Sequence, residues 1–138
     1  MSPNSQIPSP PPAVLVVDDD SALCAALSFS LQIENYAVQT YTCAADLLAE
    51  KEVPRHGCMV VDYKMPDMNG LDLVARLRER GVTLPAILIT GSPPEAVRRR
   101  AAQAGITVVE KPLFGDSLAE AIRAALARTE KPDTEKDH

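Results

Sequence analysis

The sequence predicts a doubly wound α/β domain, a parallel sheet with helices on both faces. Five short apolar runs rich in Val and Ile alternate with segments whose apolar residues recur at helical spacing. The connections between them are short, as βα units with right-handed crossovers require. Runs so uniformly apolar suit strands covered on both faces, since a strand with one wet face alternates apolar with polar residues.

The first strand is read in "AVLVV" (13–17), after which Leu23, Leu27, Ser30, Leu31 and Glu34 follow the helical period. "AVQTY" (37–41) and "CMVV" (58–61) supply the second and third strands. Leu71, Val74 and Leu77 mark the helix behind the third strand, and Gly81 stands where a helix stop belongs. "PAILI" (85–89) is the fourth strand. Ser92 and Glu95 then have capping-box spacing, and Pro93 takes the first helical position that proline favours, so a helix is expected from Pro93 to a stop at Gly105. "ITVV" (106–109) is the fifth strand. Ser117 with Glu120 repeats the capping-box spacing before an amphipathic helix with Leu118, Ile122, Ala125 and Leu126 on one face.

Residues 1–12, with five prolines and almost nothing to bury, read as a disordered leader, and residues 129–138 as a charged disordered tail. The domain is expected over 13–128. At 138 residues and 46% hydrophobic content the chain supports one core. A net charge of -5 argues against a nucleic-acid or anionic-membrane surface. Arg98, Arg99 and Arg100 form the one basic run, and successive helical positions point their charges in different directions, which reads as a solvated face. Cys24, Cys43 and Cys58 are odd in number and lack metal or redox spacing, which implies a reduced, cytoplasmic setting, with Cys58 buried and inert. No apolar run approaches the roughly 20 residues of a membrane span, so no membrane contact is expected.

Function is sought at the strand ends, because open parallel sheets bind ligands beyond the carboxyl ends of their strands, where strand order reverses. Strand 1 ends in Asp18, Asp19 and Asp20, strand 3 in Asp62, strand 4 in Thr90, and strand 5 runs through Glu110 into Lys111. Each alone has an ordinary use: the triplet as a helix cap, Asp62 as a turn residue, Thr90 as a strand-end hydroxyl, Lys111 as a solubilising charge. With the order 2-1-3-4-5 the acids converge, with Thr90 and Lys111 alongside. An all-oxygen acidic cluster suits a hard cation, and Mg²⁺ fits best. Acids, metal, hydroxyl and lysine together are equipment for phosphoryl transfer, with a carboxylate as a conceivable nucleophile.

At these residues the chain resembles the receiver domain of two-component response regulators. "VLVVDDD", "VVDYKMPDMNG", "ILITG" and "VVEKP" match, in register, the family's acid-pair, phosphoacceptor, hydroxyl and lysine segments. The resemblance implies a flavodoxin-like three-layer sandwich in which Asp62 accepts a phosphoryl group from a phosphohistidine of a histidine kinase or phosphotransfer protein. It further implies Mg²⁺ held by Asp18, Asp19, Asp62 and the backbone carbonyl of Lys64, phosphoryl contacts from Thr90 and Lys111, and a cis Lys111–Pro112 peptide. Pro66 and Gly70 would shape the loop after Asp62. Val108 stands where many receivers carry an aromatic residue that moves with the Thr hydroxyl, and Leu113 where Phe follows the Lys-Pro pair. Gly91 to Pro94 make an unusual entry to the fourth helix. These departures bear on the output route and leave the phosphorylation chemistry intact.

The expectation is therefore a stand-alone receiver, since the chain ends about ten residues after its last helix. It would act as a switch or a phosphorelay shuttle through protein contacts, without catalytic turnover of a substrate beyond slow self-dephosphorylation. A homodimer is compatible with it. Two other classes compete with it: a receiver-like docking module that works unphosphorylated, and a phosphatase of the haloacid-dehalogenase type, for which Asp18 and Asp20 supply the Asp-x-Asp spacing but no acidic pair follows Lys111 on a further strand.

Overall fold

The computed structural model describes residues 10–113 and 115–129. Its elements alternate throughout: β1 (Ala13–Val17), α1 (Ser21–Ile33), β2 (Ala37–Tyr41), α2 (Ala44–Leu48), β3 (Gly57–Asp62), α3 (Gly70–Glu79), β4 (Ala86–Thr90), α4 (Glu95–Gln103), β5 (Thr107–Glu110) and α5 (Ser117–Thr129). The strands are parallel in the order β2-β1-β3-β4-β5, as the sequence predicts. The expected leader falls outside the described residues except for Pro10 to Pro12, and the tail except for Thr129.

Every residue of β1, β3 and β4 is buried, which explains why their sequences carry no alternation. Side chains still alternate between two cores. Leu15, Val17, Met59, Val61 and Leu88 pack toward Leu47, Leu71, Val74, Leu77, Val97 and Ala101 of α2, α3 and α4. Val14, Val16, Cys58, Val60, Ile87 and Ile89 face Cys24 and Leu31 of α1 and Leu118, Ile122, Ala125 and Leu126 of α5. Each such Val, Leu, Ile or Met side chain contributes about 1.5–3 kcal/mol on burial, so the two apolar faces hold the sheet between its helix layers. β2 departs from the expectation of two covered faces: Ala37, Gln39 and Thr40 are exposed. It lies at the sheet edge, and the five-residue α2 is too short to cover it.

Helix stops follow the sequence. Gly81 (φ 92) and Gly105 (φ 71) adopt the left-handed conformation, and the amides two residues past each C-cap, Val82 and Ile106, donate back to the carbonyls of Leu77 and Ala101. Asn35 (φ 72) does the same for α1, with Tyr36 N bonding Leu31 O.

Two predicted starts are displaced. α4 begins at Glu95, with Pro94 (φ -64, ψ 160) as its N-cap residue and no side-chain cap there. A proline ring drives the residue before it out of the helical region, so Pro93, followed by Pro94, cannot open the helix, and Ser92 (φ 44) lies two residues before the N-cap position that a capping box requires. Ser117 is itself the first helical residue, and the amide of Glu120 closes the first turn on the carbonyl of Asp116. The Arg98 to Arg100 run is exposed, with Arg98 paired to Glu110, Arg99 near Glu95 and Arg100 on Asp72, so its charges diverge as expected.

Candidate functional site

The strand order reverses between β1 and β3, and the crevice beyond their carboxyl ends is built by extending the ladder one residue past each strand. The amide of Asp18 donates to Tyr41 O at 3.0 Å, Tyr63 N to Ile89 O at 2.9 Å, and Lys111 N to Thr90 O at 2.8 Å. These bonds carry the chain one residue past β1, β3 and β5 and place Asp18, Asp62 and Lys111 at the strand tips, with the tip of β4 between the last two. The acidic triplet divides its labour. Asp20 caps α1 by accepting from the amides of Ala22 (3.0 Å) and Leu23 (3.1 Å), Asp19 is exposed, and Asp18 is fully enclosed.

Gly70 fixes the approach of α3 to this crevice. A Cβ there would lie 2.4 Å from the carbonyl oxygen of Asp62 and 2.8 Å from Val61 Cγ1. With hydrogen instead, α3 starts against the end of β3, and Gly70 N donates to Tyr63 O at 2.9 Å.

Carboxylate oxygens of Asp18, Asp19 and Asp62 lie within 4.8 Å of one another. At that spacing each pair of charges repels by about 3.5 kcal/mol or more at an effective dielectric of 20. Lys111 answers part of this: its Nζ lies 3.1 Å from Asp18 Oδ2 and 3.3 Å from Asp62 Oδ1. One ammonium for three carboxylates leaves an excess of negative charge. Burial, then the charge of Asp18, pushes Asp62 up to about 6, with Lys111 opposing. Burial pulls Lys111 down, but its contacts with Asp18 and Asp62 outweigh this and raise it above its ordinary value.

The donor set fits a hard divalent cation. Asp18 Oδ1 accepts from the amide of Asp20 at 2.9 Å, whereas Oδ2 is buried without a well-aligned hydrogen-bond donor and is met only by the Lys111 ammonium at 3.1 Å. An enclosed carboxylate oxygen met by a single poorly aligned ammonium, beside a second buried acid, has room in its coordination for a divalent cation.

The sequence matches the response regulator receiver domain family over residues 14–123. The chain belongs to that family. It is 33% identical over 125 residues to the transcriptional regulatory protein FixJ of Azorhizobium caulinodans, covering 90% of this chain and 59% of that protein. It is also 33% identical over 114 residues to the response regulator protein TodT of Pseudomonas putida, covering 82% and 50%. The chain thus spans between half and three-fifths of these relatives. Among solved structures it is similar to a CheY-like receiver domain protein from Methanospirillum hungatei (TM-score 0.79, 28% identity, 88% of this chain and 98% of that one). It is likewise similar to the FixJ-N structure (TM-score 0.75, 32% identity, 87% and 94%). Receiver domains are the phosphoacceptor signalling domains of two-component systems, and they bind Mg²⁺ at an acidic pocket of the kind formed here.

In this receiver the structure brings Asp18, Asp19, Asp62 and Lys111 together as the sequence predicts. Thr90 is buried at the tip of β4, one residue beyond Ile89, the partner of Asp62 in the ladder. Lys64 sits two residues past Asp62 with its side chain exposed. The Lys111–Pro112 peptide is cis, as the resemblance implies. Val108 packs as a half-buried side chain on the α3 and α4 side, and Leu113 on the α5 side. Cys58 is buried, and burial pushes its thiol up to about 12.

Sequence reasoning missed Asp67. Its carboxylate accepts from the amides of Ala45 (2.9 Å), Ala44 (3.3 Å) and Met68 (3.1 Å), and these bonds, the one from Ala45 foremost, hold it below the usual carboxylate range. The available signal was indirect: Cys43 precedes α2 at a position where Ser, Thr, Asp or Asn would cap a helix.

Proposed function

We propose that Asp62 accepts a phosphoryl group from a phosphohistidine of a histidine kinase or phosphotransfer protein. Asp18, Asp19, Asp62 and the Lys64 carbonyl would hold Mg²⁺, which when bound supplies positive charge to the acids and to the incoming phosphoryl oxygens. The observation that carries this reading is the enclosed Asp18 Oδ2 without an aligned donor, 3.1 Å from a lysine that also lies 3.3 Å from Asp62.

The residues divide the work. With its carboxyl near 6, Asp62 is mostly ionised at pH 7.5, so an oxygen lone pair is available for attack on phosphorus. As the new O–P bond forms, the P–N bond of the donor breaks and its electron pair stays on the imidazole nitrogen, which is then protonated. Lys111 offers a mobile cation that can exchange its contact with Asp62 for one with a phosphoryl oxygen, and the Thr90 hydroxyl offers a hydrogen bond from the neighbouring strand. The buried setting strengthens both contacts over their value in water.

The modified Asp62 would be read as a protein contact whose affinity differs between the two states, or would pass its phosphoryl group to another histidine. Incubation with acetyl phosphate and Mg²⁺, followed by intact mass measurement, tests the acceptor. One phosphoryl adduct is expected on the wild type and none on Asp62→Asn or without divalent metal. Repeated turnover of a phosphate ester that depends on Asp18 would overturn the reading in favour of a phosphatase. A phosphotransfer profile against histidine kinases and phosphotransfer proteins then separates a terminal switch from a shuttle.

A further inference from the structure

We infer that Asp67 is a positioning residue for the metal site: by capping α2 from the phosphoacceptor loop, it sets the orientation of the backbone that carries the Lys64 carbonyl. This rests on the proposed reading, in which that carbonyl is a Mg²⁺ ligand. Three observations carry it.

The loop between β3 and α3 is tied at both ends by backbone bonds, Tyr63 N to Ile89 O and Gly70 N to Tyr63 O, and Asn69 caps α3 through the amide of Asp72 at 2.8 Å. Between these ties, Met65 and Met68 rest on the core. Apolar contact is non-directional, so it sets how deep the loop sits but not how its peptide planes are turned. The bonds of Asp67 to Ala44 and Ala45 are directional, and they reach across to an element 22 and 23 residues earlier in the chain.

The receiving end is built for this contact. Cys43 has the extended backbone of an N-cap residue (φ -152, ψ 160) yet makes no side-chain cap bond, so Asp67 stands in for the missing cap. An ionised carboxylate at the first amides of a helix is a charge-assisted partner, which makes the loop's attachment stronger than a neutral contact.

Coupling of this kind is reciprocal: a loop held by Asp67 binds metal more tightly, and bound metal holds the loop against α2. The test must separate positioning from mere support of α2, and Cys43 makes this possible. Cys43→Ser restores a local cap without restoring the link to the loop.

Mg²⁺ alone is titrated calorimetrically into metal-free, unphosphorylated protein, and thermal unfolding is recorded in EDTA. Asp67→Ala is expected to weaken Mg²⁺ about tenfold, the lower end of outer-shell effects on metal sites, and Asp67→Asn, which keeps an acceptor oxygen, by less than Asp67→Ala. The double variant Cys43→Ser, Asp67→Ala should regain thermal stability while its Mg²⁺ affinity stays as weak as that of Asp67→Ala. Affinity of Asp67→Ala within twofold of wild type, or recovery of wild-type affinity in the double variant, would overturn the inference. Absence of Mg²⁺ binding in the wild type would instead overturn the metal site itself.

Discussion

Replacing Asp62 with Asn should stabilise the metal-free protein at neutral pH while abolishing phosphorylation. Asp62 is nearly enclosed, and burial together with the charge of Asp18 raises its carboxyl from 3.8 to about 6. Because the folded pKa is raised, the native state holds this proton more tightly than the unfolded chain does. The associated stability is fully present below about 3.8 and is lost as pH rises through about 6. A shift of about two units corresponds to about 3 kcal/mol of destabilisation once Asp62 is ionised in both states. Asparagine removes the charge, although its amide must still find partners in a buried site, which reduces the expected gain to about 2 kcal/mol. The assay is urea unfolding of both proteins in EDTA at pH 4 and pH 7.5. Carboxylates remote from the site titrate alike in the two, so their difference reports Asp62 and the groups in contact with it: about 0.5 kcal/mol in favour of the wild type at pH 4, where the amide still costs, and about 2 kcal/mol in favour of Asn at pH 7.5. An Asn variant no more stable than wild type at pH 7.5 would refute the argument that the acidic cluster is frustrated without a cation. Mg²⁺ should narrow the gap, since metal at ten times its dissociation constant adds about 1.4 kcal/mol to the wild type.

Lys111→Ala removes the ammonium 3.1 Å from Asp18 and 3.3 Å from Asp62. It should lower stability at pH 7.5 by about 1–2 kcal/mol, less than a fully buried pair because Lys111 is partly exposed, and by much less at pH 4; urea midpoints at the two pH values check it. Gly70→Ala brings a methyl group to 2.4 Å from the Asp62 carbonyl. A loss of about 2–3 kcal/mol is expected, with slower phosphorylation by acetyl phosphate, measured by urea unfolding and mass spectrometry on the same variant. Among the cysteines, half-buried Cys43 should react with a thiol reagent at pH 8 well before Cys24 and Cys58, which are enclosed and whose thiols burial raises. Labelling of Cys58 as fast as Cys43 in the folded protein would contradict the packing of β3. Arg98→Ala, which breaks an exposed pair with Glu110, should change stability by no more than about 1 kcal/mol.

Much of this molecule was legible in the chain because its signals are local. The apolar runs of β1, β3 and β4 carry no alternation since both faces of those strands are covered, and Gly81 and Gly105 end α3 and α4 because left-handed backbone is cheapest for glycine. Local rules failed where two of them competed. Pro93 satisfies the preference for proline at a helix start, but Pro94 forbids the helical conformation to its predecessor, and α4 opens two residues late. β2 looked like its central neighbours but lies at an edge, since coverage depends on the length of α2 and on strand order, neither of which a five-residue window contains.

For the candidate site the division is similar. The sequence by itself determined the residue types and their places at strand tips, Asp18 and Asp19 after β1, Asp62 on β3, Thr90 on β4 and Lys111 after β5, because each follows from where an apolar run stops. Only the tertiary structure decided which acid of the triplet is buried, which caps a helix, and which oxygen is left without a well-aligned donor. It alone decided that Lys111 bridges Asp18 and Asp62, and that Asp67 stands in as the cap of α2. The physical reason is that burial and electrostatics depend on distances between groups far apart in the chain. A linear pattern records which groups are present, and packing determines which of them meet.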